Sequence, residues 1–265
     1  MRLQCRWIGL ALAMLQAGCG VAATRDGDSA ALHAQRLFKQ RCESAGEKIK
    51  RTVDNVEGIF VLKLRPAHVN FGDQFVMDDP YGSDLPGEDY LQTFLREFYD
   101  VRLLAAQPAQ KQTRSMLPSG YSFVEAIRPT DNVRHRYTGR VEEPWLNNKH
   151  YLKGYKRFAM NSKPAAGYAP RYGVDYHDIS TAEDRKLWIA GSSLKVIDLQ
   201  TGEVIAERIG YMYDPAQGYA GGGRSPWLLA ANYACPSFGS PHGATFQDGQ
   251  ALRFVEKVLH PIQVK

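Results

Sequence analysis

Asp175-Tyr176-His177-Asp178 is the stretch of this chain whose residue types and spacing could do chemistry. In an extended strand, residues two apart point to the same side. Asp175 and His177 would therefore share a face, where the carboxylate can orient the imidazole. Ser192 and Ser193 fall on the next strand pattern, and the register decides whether either comes within reach. With Ser193 the set would be nucleophile, base and orienting acid, the requirement for acyl transfer. The plainer alternative is a structural His-Asp hydrogen bond on a polar strand. No Gly-x-Ser-x-Gly elbow or other oxyanion motif accompanies the trio, so His177, Asp175 and Ser193 stand as candidates and no catalytic residue is assigned.

Two further constellations carry weaker chemistry. Gly222, Gly223, Arg224 and Ser225 precede a helix-start signal, where free backbone amides beside an arginine could cradle an anion. A glycine run is also simply an ordinary loop. Asp78, Asp79 and Asp84 could gather around calcium, but their spacing matches no established calcium loop, so no metal is assigned. His-Glu-x-x-His, Cys-x-x-Cys and the Gly-Lys-Ser/Thr phosphate loop are all missing from the sequence, and no cofactor is implied. Trp145, Tyr151, Tyr155 and Tyr168, set among bases, could stack on sugars or bases, and packing explains them equally well.

The N-terminal segment speaks about location. Arg2 and Arg6 make a cationic start, Trp7 to Leu15 an apolar run, and Ala17 to Ala23 a tail of mostly small residues, the three-part build of an export signal. The apolar run is far shorter than the roughly 20 residues that span a bilayer. Two cleavage routes remain open. Val21-Ala22-Ala23 would release a soluble chain from Thr24, whereas Leu15-Gln16-Ala17-Gly18-Cys19 resembles the bacterial lipobox, in which the cysteine is acylated and becomes the new N-terminus. The departure is Gln16, where lipoboxes usually carry Leu. Gly20 in place of the retaining Asp would then imply the outer membrane. If Cys19 is acylated, the lipid anchor is the membrane contact.

Of four cysteines, Cys5 and Cys19 belong to this segment, which leaves Cys42 and Cys235. Two thiols in an exported chain predict one disulfide, closing a loop of 192 intervening residues. Buried free thiols are the alternative.

Composition is that of an ordinary folded protein, 44% hydrophobic and 23% charged. Beyond Ala23 there are 31 bases and 28 acids, a net +3, too mild to argue for a nucleic-acid partner. The charges are unevenly placed, however. Eight acids against Arg96 occupy 73–100, and nine bases against three acids occupy 128–163. The blocks could face each other, one could meet an envelope polymer or anionic headgroup, or both could be solvated faces, which is the simplest expectation.

The positioning elements read as mixed helix and antiparallel sheet. Asp28 or Ser29 caps a helix to about Val53, with Cys42 on its apolar stripe. A strand covers Asn55 to Arg65, 78–87 is turn chemistry, and Tyr90 to Leu104 is a helix or two short strands. Tyr121 to Ile127 is a strand, and 137–170 has no clear period. The clearest organisation is a meander over 172–213, with strands at Tyr172 to Ile179, Lys186 to Leu199 and Val204 to Tyr213. Its strands are apolar on both faces and so need cover on each. One helix should run from Trp227 to Cys235 and a last one from Asp248 to Leu259. The expectation is a single α+β domain over 24–265, an antiparallel sheet with flanking N- and C-terminal helices.

Cys42 with Ala45-Gly46-Glu47-Lys48-Ile49, Val56-Glu57-Gly58-Ile59, the Asp79-Pro80-Tyr81-Gly82 turn, and Asp198 to Glu203 with Gly210-Tyr211 form a pattern. It resembles that of uncharacterised secreted or lipid-anchored cell-envelope proteins of Gram-negative bacteria. The resemblance implies a periplasmic or outer-membrane location and brings no activity, so no functional residue follows from it. The functional expectation is an exported binding or assembly component meeting an unknown envelope protein or polymer. The alternative is a small periplasmic hydrolase using the His177-Asp175 pair.

Overall fold

The computed structural model describes residues 22–67, 75, 77–82, 85–98, 119–143, 156–216, 227, 229–238, 247 and 249–263. Helix α1 (Ala22–Cys42) leads into β1 (Gly46–Ile49), β2 (Val53–Val56) and β3 (Gly58–Val61). A short α2 (Asp89–Gln92) precedes β4 (Phe123–Ile127), β5 (Arg134–Glu142) and β6 (Arg157–Pro164). Then come β7 (Tyr172–Asp178), α3 (Ala182–Lys186), β8 (Ile189–Asp198) and β9 (Glu203–Tyr213). A 3-10 turn (Ala230–Tyr233), β10 (Ala234–Cys235), α4 (Gln250–Val258) and β11 (Leu259–Pro261) complete the chain.

The expected class is overturned. The molecule is mostly β, 40% strand to 23% helix, and is built on a mixed nine-stranded sheet. Its order is β1-β9-β8-β7-β3-β4-β5-β6, with β10 also on β9. The meander exists as β7-β8-β9, antiparallel throughout, but it is only part of this sheet. The reason is β3. Gly-Ile-Phe-Val is a short apolar run that pairs in parallel with β4 on one side and β7 on the other. Strands with parallel neighbours are covered on both faces and read as continuous apolar runs rather than alternations.

Three local expectations change with it. The first helix stops at Cys42, not Val53, because the chain turns at 43–45 and Gly46, at φ +147°, opens β1. The strand over Asn55 to Arg65 is two strands in two sheets, since Asn55 at φ +59° lets β2 pair with β11 while β3 enters the large sheet. The helix expected to end at Cys235 is the 3-10 turn followed by β10. The region left without a period holds most of one long hairpin, β5-β6, in register over eight residues. The last helix stands where its apolar spacing placed it, as α4.

The main core lies on one face of the sheet, where Leu252, Phe254, Val255 and Val258 of α4 and Tyr90, Leu91, Phe94 and Leu95 pack against Ile59, Val124, Val174 and Val196. The other face is covered at one end by α1, whose Ala34, Leu37 and Phe38 meet Ile189, Ile209 and Tyr213. β1 and β10 share one edge of β9, at 206–209 and 211–212, which brings the end of α1 beside β10. There Cys42 and Cys235 form the expected disulfide, Cα to Cα 5.6 Å.

Candidate functional site

Alternation along β7 divides the Asp175-Tyr176-His177-Asp178 tetrapeptide between the two faces of the sheet. Tyr176 joins the main core, while Asp175 and His177 lie on the face away from it. His177 Nε2 is 3.0 Å from a carboxylate oxygen of Asp175, so the pair expected from spacing is formed, with the imidazole 49% exposed. The register sets Ser193 directly opposite His177, and Ser192 opposite Asp178.

The hydroxyl is directed elsewhere. Ser193 is buried and donates to Glu207 Oε1 at 2.7 Å, with Lys195 Nζ 3.8 Å from the same oxygen. A triad needs the acid on one ring nitrogen and the nucleophile on the other. Here Asp175 faces Nε2 and Ser193 is paired with Glu207. β8 runs between β7 and β9, so its amides belong to ladders on both sides and are not turned toward a developing oxyanion. The arrangement can orient an imidazole at the surface, where it can accept or donate a proton.

The larger constellation is one that the spacing did not disclose. Residues 77–82, expected to be a turn or a calcium loop, form a buried hub. Asp79, at φ +47°, accepts from Arg65 Nη1 at 2.8 Å, both groups being buried. The Arg65 guanidinium lies over the Tyr176 ring at 3.5 Å. Lys63 Nζ and the Tyr176 hydroxyl reach the same oxygen of Asp78, at 2.8 and 2.9 Å. Burial pushes the Asp78 carboxyl up, but Lys63 and Tyr176, with Arg65 behind them, outweigh it and hold it below its ordinary value. The Asp79 amide donates to Asp178, which also pairs with Arg185. Tyr81 packs over Gly210, where a Cβ would overlap its ring, and burial pushes its phenol up to about 12.

A second ion cluster closes the β8-β9 turn. Asp198 is buried between Arg171, at 2.8 Å, and Arg51, at 2.6 Å, and its Oδ1 accepts from the Gln200 amide. Arg171 first, then Arg51, hold this carboxyl well below the usual carboxylate range. The only sequence signal was the Asp-x-x-x-Gly spacing before Gly202, which announces a turn but not the two arginines.

The acidic and basic blocks meet in the ion pair of Arg128 with Glu88, at 3.2 Å, and in the edge-on packing of Phe98 against Phe158. Otherwise the basic block answers acids within its own hairpin region, Glu125, Asp131 and Glu142. Cys19, the anion candidates Gly222, Gly223, Arg224 and Ser225, and Asp84 lie outside the described residues. Among the described residues no group of three or more His, Cys, Asp or Glu could hold a metal ion, and no helix is long and apolar enough to cross a membrane. Comparison of the chain with family models, with curated proteins and with solved structures returns no match.

Proposed function

We propose that this chain is an exported cell-envelope protein of the periplasm or outer membrane whose folded domain is a binding or assembly component rather than a catalyst. It is either released at Thr24 or held by an acylated Cys19. The observation that carries the reading is the Cys42–Cys235 disulfide, because such bonds form and persist in oxidising compartments. It agrees with the cationic, apolar and small-residue order of Met1 to Ala23. The non-enzymatic half is supported by the pairing of Ser193 with Glu207, which directs that hydroxyl away from the imidazole of His177.

A hydrolase acting through His177 and Asp175 is the second reading, favoured by the register that sets Ser193 across from His177. One set of preparations separates the possibilities. The protein is expected in the envelope fraction lacking at least Met1 to Gly18, and a cytoplasmic product that keeps Met1 sinks the export reading. Cys19→Ser should abolish fatty-acid labelling if Cys19 is the anchor, and should leave processing at Thr24 unchanged if it is not. The purified protein should show no esterase or amidase turnover that His177→Ala removes at an unchanged melting temperature. Such a turnover would hand the site to the hydrolase.

A further inference from the structure

On the hairpin β5-β6, buried His135 and Tyr137 alternate with Arg134, Arg136 and Arg140, so the arginines share the face opposite the core. Cross-strand partners extend that face: Glu142 stands opposite Arg157, Arg136 opposite Lys163, and on the other side Glu125 opposite Arg136 and Ile127 opposite Arg134. Each carboxylate answers two guanidiniums. Buried Glu125 has Arg136 at 2.8 Å and Arg134 at 3.3 Å, and Glu142 has Arg157 at 2.7 Å and Arg140 beside it. Lys163 has no acidic partner among the described residues, so five cations stand over two anions. Arg140 and Arg157 are about half exposed, while Arg134 and Arg136 are mostly covered.

The end of this face is apolar. Ile127, opposite Arg134 on this face, is exposed, and Tyr168, next to the Gly167 carbonyl that accepts from Arg134, is 99% exposed. From this juxtaposition we infer that the outer face of β4-β5-β6 docks on an anionic, phosphate-bearing lipid bilayer, the arginine rows meeting headgroups and Tyr168 and Ile127 entering the headgroup-acyl boundary. The excess positive charge supplies the complementarity. The apolar rim selects a bilayer over a charged polymer, because a polymer of acidic groups has nothing to offer Ile127, whereas tyrosine and aliphatic side chains are at home at the interface. The inference deepens the envelope reading and depends on it only for which membrane is met.

The test uses the full mature chain carrying Cys19→Ser, so that no acyl chain contributes, and co-sedimentation with vesicles of phosphatidylcholine alone or mixed with phosphatidylglycerol. Retention is expected on the anionic vesicles only, falling as salt rises. Lys163→Gln should weaken it roughly fivefold, and Tyr168→Ser should lower it further, both with unchanged melting curves. Lys186→Gln, on α3, should bind like the parent. Equal retention on neutral vesicles, retention on neither, or variants that bind like the parent overturn the inference. So does capture by an acidic polysaccharide such as alginate without any vesicle binding. A chain that stays cytoplasmic in cells yet binds the anionic vesicles rejects the envelope reading and leaves this one standing.

Discussion

Arg65 and Asp79 show what a buried charge pair does in this protein. Taking both groups out of water is costly, and good geometry with flanking hydrogen bonds is what offsets it. Asp79 meets that condition with Arg65 on one oxygen and the Gly82 amide, at 3.3 Å, on the other. Gly82 has to be glycine, since a Cβ there would overlap the Arg65 guanidinium. Removing one partner leaves the other charge buried. Asp79→Ala should therefore lower stability by roughly 3–5 kcal/mol in urea unfolding, with Asp79→Asn losing less because its amide oxygen can still accept. A loss no larger than the roughly 0.5 kcal/mol of an ordinary surface change would mean that the pair does not hold residues 77–82 in place.

At the scale of elements, α4 is the lid of the main core. Its apolar residues at 251, 252, 254, 255 and 258 follow helical spacing and are all buried, and β11 continues directly from it to pair with β2. Phe254, near the centre, also sits 5.7 Å beneath the Arg208 guanidinium. Phe254→Ala should cost roughly 3–5 kcal/mol, and because β11 follows α4, amide exchange in β2 should quicken with it. Protection in β2 that stays unchanged in the variant would show the small parallel sheet to be independent of the helix. The β5-β6 hairpin lies at the other extreme, with a half-exposed to exposed outer strand.

For the whole molecule, two predictions concern how the pieces are tied. The disulfide joins the end of α1 to β10 across a separation of 193 residues and stabilises chiefly by restricting the unfolded chain. Cys42→Ala and Cys235→Ala should each cost roughly 2–5 kcal/mol, and the double variant should be little worse than either, because each single change removes the same tie. Two alkylatable thiols in the native exported protein would rule the bond out. The second prediction is acid sensitivity. Asp198, Asp78, Asp131 and Glu142 have folded-state affinities for protons below their unfolded ones, Asp131 because the Val133 amide donates to it and Glu142 because Arg157 and then Arg140 hold it down. Their contribution is complete above the ordinary carboxylate range of about 4 and disappears as pH falls through the depressed folded values. Glu256 acts in the opposite sense. Burial raises it although the Gly120 amide donates to it, so its contribution is largest in acid and fades as pH rises through its raised value. With four groups against one, the melting temperature should fall between about pH 5 and pH 2, and Asp198→Asn should flatten that fall.

The disulfide partners, α4, the strand near Tyr121 to Ile127 and the three strands of the meander were all legible in the residues, because each is a local pattern or a matter of counting. Asp175 and His177 were legible as a pair for the same reason, two residues apart on one strand. What remained hidden depended on contacts between distant segments. The parallel pairing of β3, the burial of 77–82 under Arg65 and Tyr176, the two arginines on Asp198 and the pairing of Ser193 with Glu207 join residues that no short-range period connects. An apolar tetrapeptide is equally compatible with an antiparallel or a parallel neighbour, and an Asp-Pro-Tyr-Gly turn with water or with a core. Only the assembled sheet, by choosing which surfaces are removed from water, decides between them.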